Sequence, residues 1–315
     1  MTAILCAGVL CVDVVVGVVD VLPPPGDILF PETATVTGGG SAYNTGIGLA
    51  HFGCSVTLGG RIGRDPLGAV LRSELEACQV GTSALQSDPH RPTGLSVVLV
   101  SPGGERSFLH HPGANAALCS ADLEPHLTQV SWLHIGGAGV LAQLTGAELT
   151  HLLRRARELG LPTSMDTATG PSVAMMDLHG ALPYLDLCFV NHLEGTLVTG
   201  CQNPNAIATG LVDLGARYAC VKLGGDGAVL VNSKHRVVSC AALPVRAVDT
   251  TGAGDAFVAG FLSVWTAGGS PEEALHGGAA AGAACVQHWG GTSWCVHKDP
   301  VPGTSDTVGK EELHP

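Results

Sequence analysis

The stretch VDTTGAGDAFVAG, residues 248–260, places a run of small residues directly before a helical pattern. The residues from Ala256 onward favour a helix, which would begin beside Gly252, Ala253 and Gly254. Backbone N–H groups in the first turn of a helix have no acceptor within the helix, and they lie at the positive end of its dipole. This arrangement binds anions, and phosphate above all. The stretch therefore predicts a turn into a helix whose first amides hold an anion.

Asp255 adds one carboxylate to the first turn of that helix. A carboxylate beside a bound phosphate is unfavourable unless it has a chemical task. The natural task is to accept a proton from a hydroxyl group that attacks phosphorus. The alternative is an aspartate that caps a tight turn at the start of a helix. The residues by themselves leave both interpretations open.

Short apolar runs and helical patterns alternate along the rest of the chain. Residues 4–16 form a nearly continuous apolar run, typical of a strand buried on both faces of a mainly parallel sheet. Further runs that fit strands lie at 131–135, 162–165, 187–190, 218–223 and 228–231. Helical patterns lie at 42–52, 67–78, 146–159 and 205–214. The alternation predicts an α/β fold, a doubly wound and mainly parallel sheet with helices on both faces.

Two β-rich segments, 14–36 and 93–115, interrupt this alternation. The second fits a hairpin that turns at Pro102-Gly103-Gly104. We expect these segments to form a small β-sheet lid over a cleft, because lids over sites are built from such insertions. The predicted core comprises 1–13, 37–92 and 116–298, and the polar, proline-containing end at 299–315 is expected to be a mobile tail.

Composition excludes several classes of protein. The chain has 315 residues, 45% of them hydrophobic, and a formal net charge of −12, which argues against nucleic-acid and anionic-membrane partners. No apolar run approaches the about 20 residues of a membrane-spanning helix. The first lysine or arginine is Arg61, so no signal peptide is expected, and eleven cysteines without a CxxC pair indicate the reducing cytoplasm. Neither a P-loop sequence nor a GxGxxG after a strand occurs, which disfavours P-loop and dinucleotide-binding enzymes.

DTTGAGDAFVAGF, residues 249–261, resembles the C-terminal signature of the ribokinase-like (PfkB) family of carbohydrate and nucleoside kinases. GGGSAYN at 38–44, continuing to the G-x-D-x-x-G of Gly63, Asp65 and Gly68, is similar to the N-terminal signature. The two signatures stand in the family's order, and the resemblance covers nearly the whole chain up to about Trp294. It implies an ATP-dependent transfer of phosphate to a primary hydroxyl of a sugar or sugar derivative. Asp255 would be the catalytic base, and the amides of residues 252–254 would form the anion hole.

The resemblance implies further ligand contacts. It assigns the sugar to Asp13, Gly39, Gly40, Asn44 and Asn115, and the nucleotide to Lys222, Gly224, Gly227 and Thr250. It assigns Mg²⁺, through ordered water, to the N-x-x-E motif of Asn191 and Glu194, and carboxylate and amide oxygens suit this hard cation. In members of the family activated by K⁺, an acid at the position of Asp249 encloses the ion together with carbonyls that residues 290–293 could supply.

Each of these assignments has a structural alternative. Asp13 could end a strand at a surface turn, although an unpaired acid within an apolar run is costly, which favours a ligand. Lys222, in a predicted buried strand, needs an anionic partner, either phosphate or an acidic side chain. Glu194 could be a solvent-facing acid in the first turn of a helix. Asp249 could accept local backbone N–H bonds at the end of a strand.

The substrate has alternatives as well. A nucleoside kinase of the same fold would need a platform for the base, for which Phe108, Trp132 and Tyr43 are candidates, but the chain is only 4% aromatic, which favours a sugar. Residues 135–139 lack the acid that some ribose-specific relatives have after this strand, which disfavours ribose. A non-catalytic sugar- or nucleotide-binding relative is a third alternative, and the lid is a candidate surface for a homodimer.

Overall fold

The computed structural model describes residues 2–168 and 178–296, and all elements below lie within them. The strands are β1 Ala3–Gly8, β2 Cys11–Gly17, β3 Thr33–Gly39, β4 Ser55–Gly63, β5 Gly81–Asp88, β6 Gly94–Val100, β7 Arg106–His111, β8 Trp132–Ala138, β9 Thr163–Thr167, β10 Leu187–Asn191, β11 Tyr218–Lys222, β12 Ala228–Asn232 and β13 Val237–Cys240. The helices are α1 Ser41–His51, α2 Pro66–Ala77, α3 Ser120–Leu123, α4 Gly146–Glu158, α5 His192–Thr199, α6 Pro204–Asp213, α7 Ala253–Thr266, α8 Pro271–Cys285 and α9 Ser293–Val296.

The large sheet has the order β13-β12-β11-β10-β9-β8-β1-β4-β5. The seven neighbouring strands β11, β10, β9, β8, β1, β4 and β5 run parallel to one another, and β12 and β13 add an antiparallel edge. Strands β8 and β9 are buried along their whole length, and most residues of the other inner strands are buried, because helices cover both faces. The predicted doubly wound, mainly parallel sheet is confirmed.

Alternate residues of each strand pack into two separate apolar cores. In β1, Ile4 and Cys6 face the core formed with α1, α2, α7 and α8, whereas Leu5 and Ala7 face the core formed with α4 and α6. The helices bury one face against these cores. In α4, for example, the buried residues are 149, 152, 153 and 156, whose spacing places them on one face of the helix. The predicted helices at 42–52, 67–78, 146–159 and 205–214 correspond to α1, α2, α4 and α6.

A separate small sheet has the order β3-β2-β6-β7 and forms the predicted lid. Strand β6 pairs with β7 as the expected antiparallel hairpin, and β2 joins the two segments by pairing with both β3 and β6. The lid follows directly from the carboxyl end of β1, so it extends from the edge of the large sheet where parallel α/β folds bind ligands.

The apolar run at 4–16 is two strands in two sheets, and its prediction as one strand is wrong. The chain leaves the large sheet at Gly8, where φ is +141° and a Cβ would lie 2.0 Å from the carbonyl oxygen of Gly136. Strand β2 lies wholly in the small sheet. The boundary between the core and the lid, which was expected after residue 13, therefore lies before Cys11. Both strands are apolar, so hydropathy does not mark the break. The predicted tail at 299–315 lies outside the described residues.

No helix in the described part of the chain is long and apolar enough to cross a membrane.

Candidate active site

The candidate site lies where the carboxyl ends of neighbouring parallel strands meet the amino ends of α1 and α7. Asp166, Asn191 and Lys222 lie at or near the ends of β9, β10 and β11. Parallel strands place such residues along one edge of the sheet, and this is where open α/β sheets bind ligands.

Gly252 makes the sharp turn into α7. Its φ is +72°, and a Cβ at this position would lie 2.5 Å from the Cα of Gly291, so a side chain does not fit. The amide of Ala253 donates to the carbonyl of Thr250 at 3.2 Å and is used by the turn itself. Within residues 2–168 and 178–296, the amides of Gly252 and Gly254 have no acceptor. The free donors of the predicted anion hole are therefore two of the three amides.

Asp255 does not cap α7, because the N-terminal cap of this helix is Gly252 and no side chain caps it. Its carboxylate instead accepts a hydrogen bond of 2.8 Å from Asn44 Nδ2, at the start of α1. Burial raises the pKa of Asp255 above its ordinary value, against the opposing effects of Asn44, Lys222 and Arg106. A raised pKa suits a group that must take up a proton.

The oxygen of the Asn44 side-chain amide remains available to accept a hydrogen bond. Asn44 Oδ1 is buried and has no hydrogen-bond donor among the described residues. The resemblance assigns Asn44 to the sugar, and in the structure its side-chain amide contacts Asp255. A buried acceptor without a donor is costly, so a ligand hydroxyl would stabilise this position.

Lys222 forms a buried ion pair with Asp166, with Nζ 2.6 Å from Oδ1. The acidic partner, one of the two predicted alternatives, is therefore present. The same ammonium lies beside the anion hole, because a Cβ on Gly254 would be 3.1 Å from Nζ. Burial raises the pKa of Asp166 to about 7, and Lys222 opposes this shift. Burial would by itself lower the pKa of Lys222, but Asp166 and Glu194 raise it above its ordinary value.

Asp166 is a site residue that the sequence analysis missed. Its only local signal is a carboxylate in an otherwise buried strand, TSMDT in β9. Its partner Lys222 is 56 residues away in the sequence, so no motif links the two.

Asn191 and Glu194 form a reciprocal cap at the start of α5. The Asn191 side chain accepts from the Glu194 amide at 2.8 Å, and Glu194 Oε2 accepts from the Asn191 amide at 2.8 Å. Glu194 Oε2 also accepts from Thr167 Oγ1 at 2.7 Å, and the residue is only 4% exposed. The solvent-facing alternative for Glu194 is therefore wrong, because its carboxylate is turned inward against β9.

Asp249 is fully buried and connects two loops. Its Oδ1 accepts from the Thr251 amide at 2.8 Å and from the Thr251 hydroxyl at 2.6 Å, and its Oδ2 accepts from the Gly290 amide at 2.8 Å. It accepts backbone N–H bonds, as the structural alternative predicts, and it also touches the 290–293 loop that the resemblance places beside it.

Asp13 lies in the middle of β2, so the interpretation that it ends a strand is wrong. It is 4% exposed, which excludes the surface-turn alternative. The thiol of Cys11 donates to its Oδ1 at 3.2 Å, and burial raises the pKa of Asp13 to about 6. A Cβ on Gly39 would lie 2.1 Å from Asp13 Oδ2, so glycine at 39 makes room for this carboxylate. Gly40 has φ +93° and starts α1 against the carbonyl of Val9.

Asn115 lies at the hinge of the lid. Its Oδ1 accepts from the Leu10 amide at 3.0 Å, and its Nδ2 donates to the carbonyls of Leu10 and Pro112 at 2.7 and 2.9 Å. These bonds hold together the chain segments that enter and leave the lid. In this structure, the side chain assigned to the sugar serves the hinge.

The remaining residues that the resemblance assigns to the nucleotide are Gly224, Gly227 and Thr250, and their surroundings differ. Gly224 has open space around it, whereas Gly227, with φ +96°, turns the chain between β11 and β12 where a Cβ would be 2.0 Å from the Cys240 carbonyl. The hydroxyl of Thr250 contacts the tip of the lid hairpin, where it donates to the Gly104 carbonyl at 3.2 Å.

Two of the three aromatic residues considered as a platform for a nucleoside base lie in the core. Tyr43 bonds to Glu74 and is 1% exposed, and Trp132 begins β8, at the opposite edge of the sheet, and donates to Ser164 at 2.8 Å. Phe108, on the lid, is 49% exposed. Tyr43 and Trp132, which were candidates under the nucleoside alternative, are excluded as platforms because neither ring is accessible.

Comparisons with known proteins agree with this geometry. A model of the pfkB family of carbohydrate kinases matches residues 1–299. A fructokinase of Salmonella typhimurium is 30% identical over 244 residues, which is 75% of this chain and 79% of that protein. The aminoimidazole riboside kinase of the same species is 30% identical over 71% of this chain and 72% of its own length. In structure, Arabidopsis thaliana ribokinase complexed with ribose and ATP matches 93% of this chain and 95% of its own, with a TM-score of 0.78 and 24% identity.

Proposed function

Because the chain belongs to the pfkB family of carbohydrate kinases, we propose that it transfers the γ-phosphoryl group of MgATP to a primary hydroxyl of a sugar or sugar derivative. One observation carries this proposal. A partly buried carboxylate, Asp255, stands in the first turn of α7 beside two free amides and is held by Asn44 instead of capping its own helix.

The proposed chemical step follows from these positions. Asp255 accepts the proton of the attacking hydroxyl as its oxygen forms a bond to the γ-phosphorus, and the bond from that phosphorus to the bridging oxygen of ADP breaks. The amides of Gly252 and Gly254 and the dipole of α7 stabilise the negative charge on the transferring group. Closure of the lid over the substrate excludes water as a competing acceptor.

Asn191 and Glu194 are the residues proposed to hold Mg²⁺ through water. Their oxygens are hard donors and the Glu194 carboxylate is buried and fixed by Thr167, which fits a largely hydrated Mg²⁺. The ion would neutralise charge on the phosphates of the nucleotide.

The proposed sugar site lies between Asp13 and Asn44. Sugar hydroxyls are hydrogen-bond donors, and the Asp13 carboxylate can accept from two of them. Asn44 Oδ1, buried and without a donor in the described residues, supplies a further acceptor. Since Tyr43 and Trp132 are in the core, a sugar is favoured over a nucleoside.

K⁺ is a proposed activator at Asp249. This carboxylate is fully buried, and no cationic side chain pairs with it in the described residues. A monovalent cation held between Asp249 and the carbonyls of 290–293 would compensate the charge. Higher turnover in KCl than in NaCl, lost on Asp249→Asn, would support it, and equal turnover in the two salts would refute it.

A homodimer through the lid is the proposed assembly. The outer face of the small sheet includes the apolar cross-strand neighbours Val14, Val16, Val36, Val97, Leu99 and Leu109. Val36 and Leu109 are 56% and 64% exposed, and a second copy of this face would cover them. Light scattering would show a dimer that Val36→Asp with Leu109→Asp converts to a monomer. A monomeric wild-type protein would refute the assembly.

The kinase proposal is tested by ADP release from MgATP across pentoses, hexoses, ketoses, sugar acids and nucleosides. Asp255→Asn is expected to fold normally and to bind ATP, but to lower turnover on the accepted substrate by several orders of magnitude. Asp213→Asn, at an exposed surface position, is the matched control and is expected to retain wild-type turnover. Wild-type turnover in Asp255→Asn would refute this base. Binding of sugar or ATP without turnover in the wild type would favour a non-catalytic binding protein.

A further inference from the structure

The face of the lid that carries Asp13 is polar around this residue and apolar toward its far end. Ser96 lies beside Asp13 in the sheet and bonds to His110 at 2.9 Å. Two residues farther along these strands, Val15 lies beside Val98. The hydroxyls of a sugar suit the polar part of this face. The apolar part gains free energy when another apolar group covers it.

Trp289 covers this apolar part of the lid from the side of the core. Its ring packs against Val15, Val98 and Val100, and these residues form a cluster separate from the two cores of the large sheet. The three valines are at most 1% exposed. Gly17 makes room for the ring, because a Cβ at this position would lie 2.6 Å from two of the ring atoms. The ring therefore joins the far end of the lid to the segment between α8 and α9.

The loop that carries Trp289 also packs on the turn of the anion hole. The amide of Gly290, the next residue, donates to Asp249 Oδ2 at 2.8 Å. Gly291 lies against the turn itself, since a Cβ on Gly252 would be 2.5 Å from the Cα of Gly291. One short loop therefore contacts both the lid and the turn that presents the free amides.

The contact of Trp289 depends on the position of the lid. The ring is only partly buried, and its partners in the cluster all lie on the lid. The tip of the lid hairpin meets the core at a second point, where Arg106 donates to the hydroxyl of Thr250. Movement of the small sheet away from the large one would separate the ring from the valines and expose the apolar surface of both, which costs free energy. The ring therefore favours the closed position of the lid.

We propose that Trp289 is a positioning residue that holds the closed lid on the bound sugar and ties closure to the turn of the anion hole. The proposal rests on the kinase function proposed above. Closure excludes water from the site, so loss of the ring lets water compete with the sugar. Water then attacks the γ-phosphorus, the bond from that phosphorus to the bridging oxygen of ADP breaks, and ADP, inorganic phosphate and a proton are released.

The kinetic test measures ADP and sugar phosphate separately on the accepted sugar. Trp289→Ala is expected to raise the KM for sugar by about 10-fold or more, because fewer molecules hold the lid closed. It is also expected to release ADP without an equal amount of sugar phosphate, whereas Trp289→Phe keeps a ring and should recover most of both properties. Trp265→Ala, which removes a tryptophan at the far end of α7, is the matched control. It is expected to lower the melting temperature and to keep the wild-type KM and product ratio.

A second variant tests the same contact from the lid. Gly17→Ala places a Cβ where the ring lies, so the ring must move and the KM for sugar should rise. In Gly17→Ala combined with Trp289→Ala the new Cβ meets no ring, and the KM should equal that of Trp289→Ala alone. Effects that multiply in the double variant would show two independent defects and would overturn the proposed contact.

Titration calorimetry with sugar gives a readout that does not depend on turnover. Closure that buries the ring and the valines makes the heat-capacity change of binding more negative. Trp289→Ala should therefore show a smaller heat-capacity change and weaker binding than the wild type, and Trp265→Ala should match the wild type. An unchanged KM, product ratio and heat-capacity change in Trp289→Ala, or the same changes in Trp265→Ala, would overturn the proposal. A wild type that binds sugar without turnover would count against the kinase function, and the heat-capacity comparison would still decide the role of Trp289.

Discussion

Replacing Lys222 by methionine removes one partner of the buried pair and leaves Asp166 uncompensated. The two groups are 2.6 Å apart, with side chains only 13% and 3% exposed. Breaking a buried pair by removing one partner costs about 3–5 kcal/mol of unfolding free energy. The unfolding entropy of a chain of 315 residues is about 0.66 kcal/mol/K, so a change of 1 kcal/mol shifts its melting temperature by about 1.5 °C. We therefore expect Lys222→Met to melt roughly 5–8 °C below the wild type.

The size of this loss should depend on pH. Burial raises the pKa of Asp166, and removing Lys222 removes the effect that opposes the rise. The folded variant then binds a proton that the unfolded chain has released, so its stability falls as pH rises through the raised pKa of Asp166. At low pH the buried Asp166 carboxyl is neutral and destabilises the folded variant less. The difference in unfolding free energy between Lys222→Met and the wild type is therefore expected to be smaller at pH 5 than at pH 8.

Thermal and urea unfolding of a double-mutant cycle would measure this effect. Asp166→Asn combined with Lys222→Met leaves no buried charge in the pair and should recover part of the stability, whereas Lys234→Met changes an exposed lysine and should be neutral. A loss below about 1 kcal/mol in Lys222→Met, or no recovery in the double variant, would refute the reasoning about the buried pair.

Two further predictions follow from the glycine turn and the lid. Since burial raises the pKa of Asp13 to about 6 and only the ionised form accepts from two hydroxyls, the KM for sugar should rise as pH falls below about 6. Asp13→Asn should flatten this dependence, and a flat profile in the wild type would contradict the assignment of Asp13. Gly252→Ala introduces a Cβ 2.5 Å from the Cα of Gly291 at a φ of +72°, so the turn must shift. We expect kcat to fall by about 100-fold or more with a folded protein by circular dichroism, and near-normal kcat would show that the two free amides are not used.

Most of the fold could be predicted from the sequence because its signals are local. An apolar run of five or six residues, followed by a helical pattern, specifies a buried strand and its crossover helix without reference to distant residues. The turn at Gly252 is also local, since small residues directly before a helix leave its first amides free. The prediction failed at residues 4–16, where one apolar run serves two sheets and the change of direction depends on the close contact between Gly8 and Gly136.

The candidate site could be predicted only in part. Asp255, Asp249 and the glycines follow from the resemblance of two signatures, and Glu194 follows from that of the N-x-x-E motif. What each side chain contacts does not follow from them. Glu194 is turned inward by Thr167, and Asn115 bonds to the hinge instead of facing a cleft. Such contacts depend on which strands and loops become neighbours, which the residues of a motif do not specify.

The sequence by itself determined most of the strand and helix segments, the glycine turn at 252–254 and the position of the carboxylate beside it, because each depends on bonds within a few residues. Only the tertiary structure decided which side chains meet. Lys222 and Asp166 are 56 residues apart and Arg106 and Thr250 are 144 apart. The order of the strands and the placement of the lid bring them together, and those are set by the packing of the whole chain.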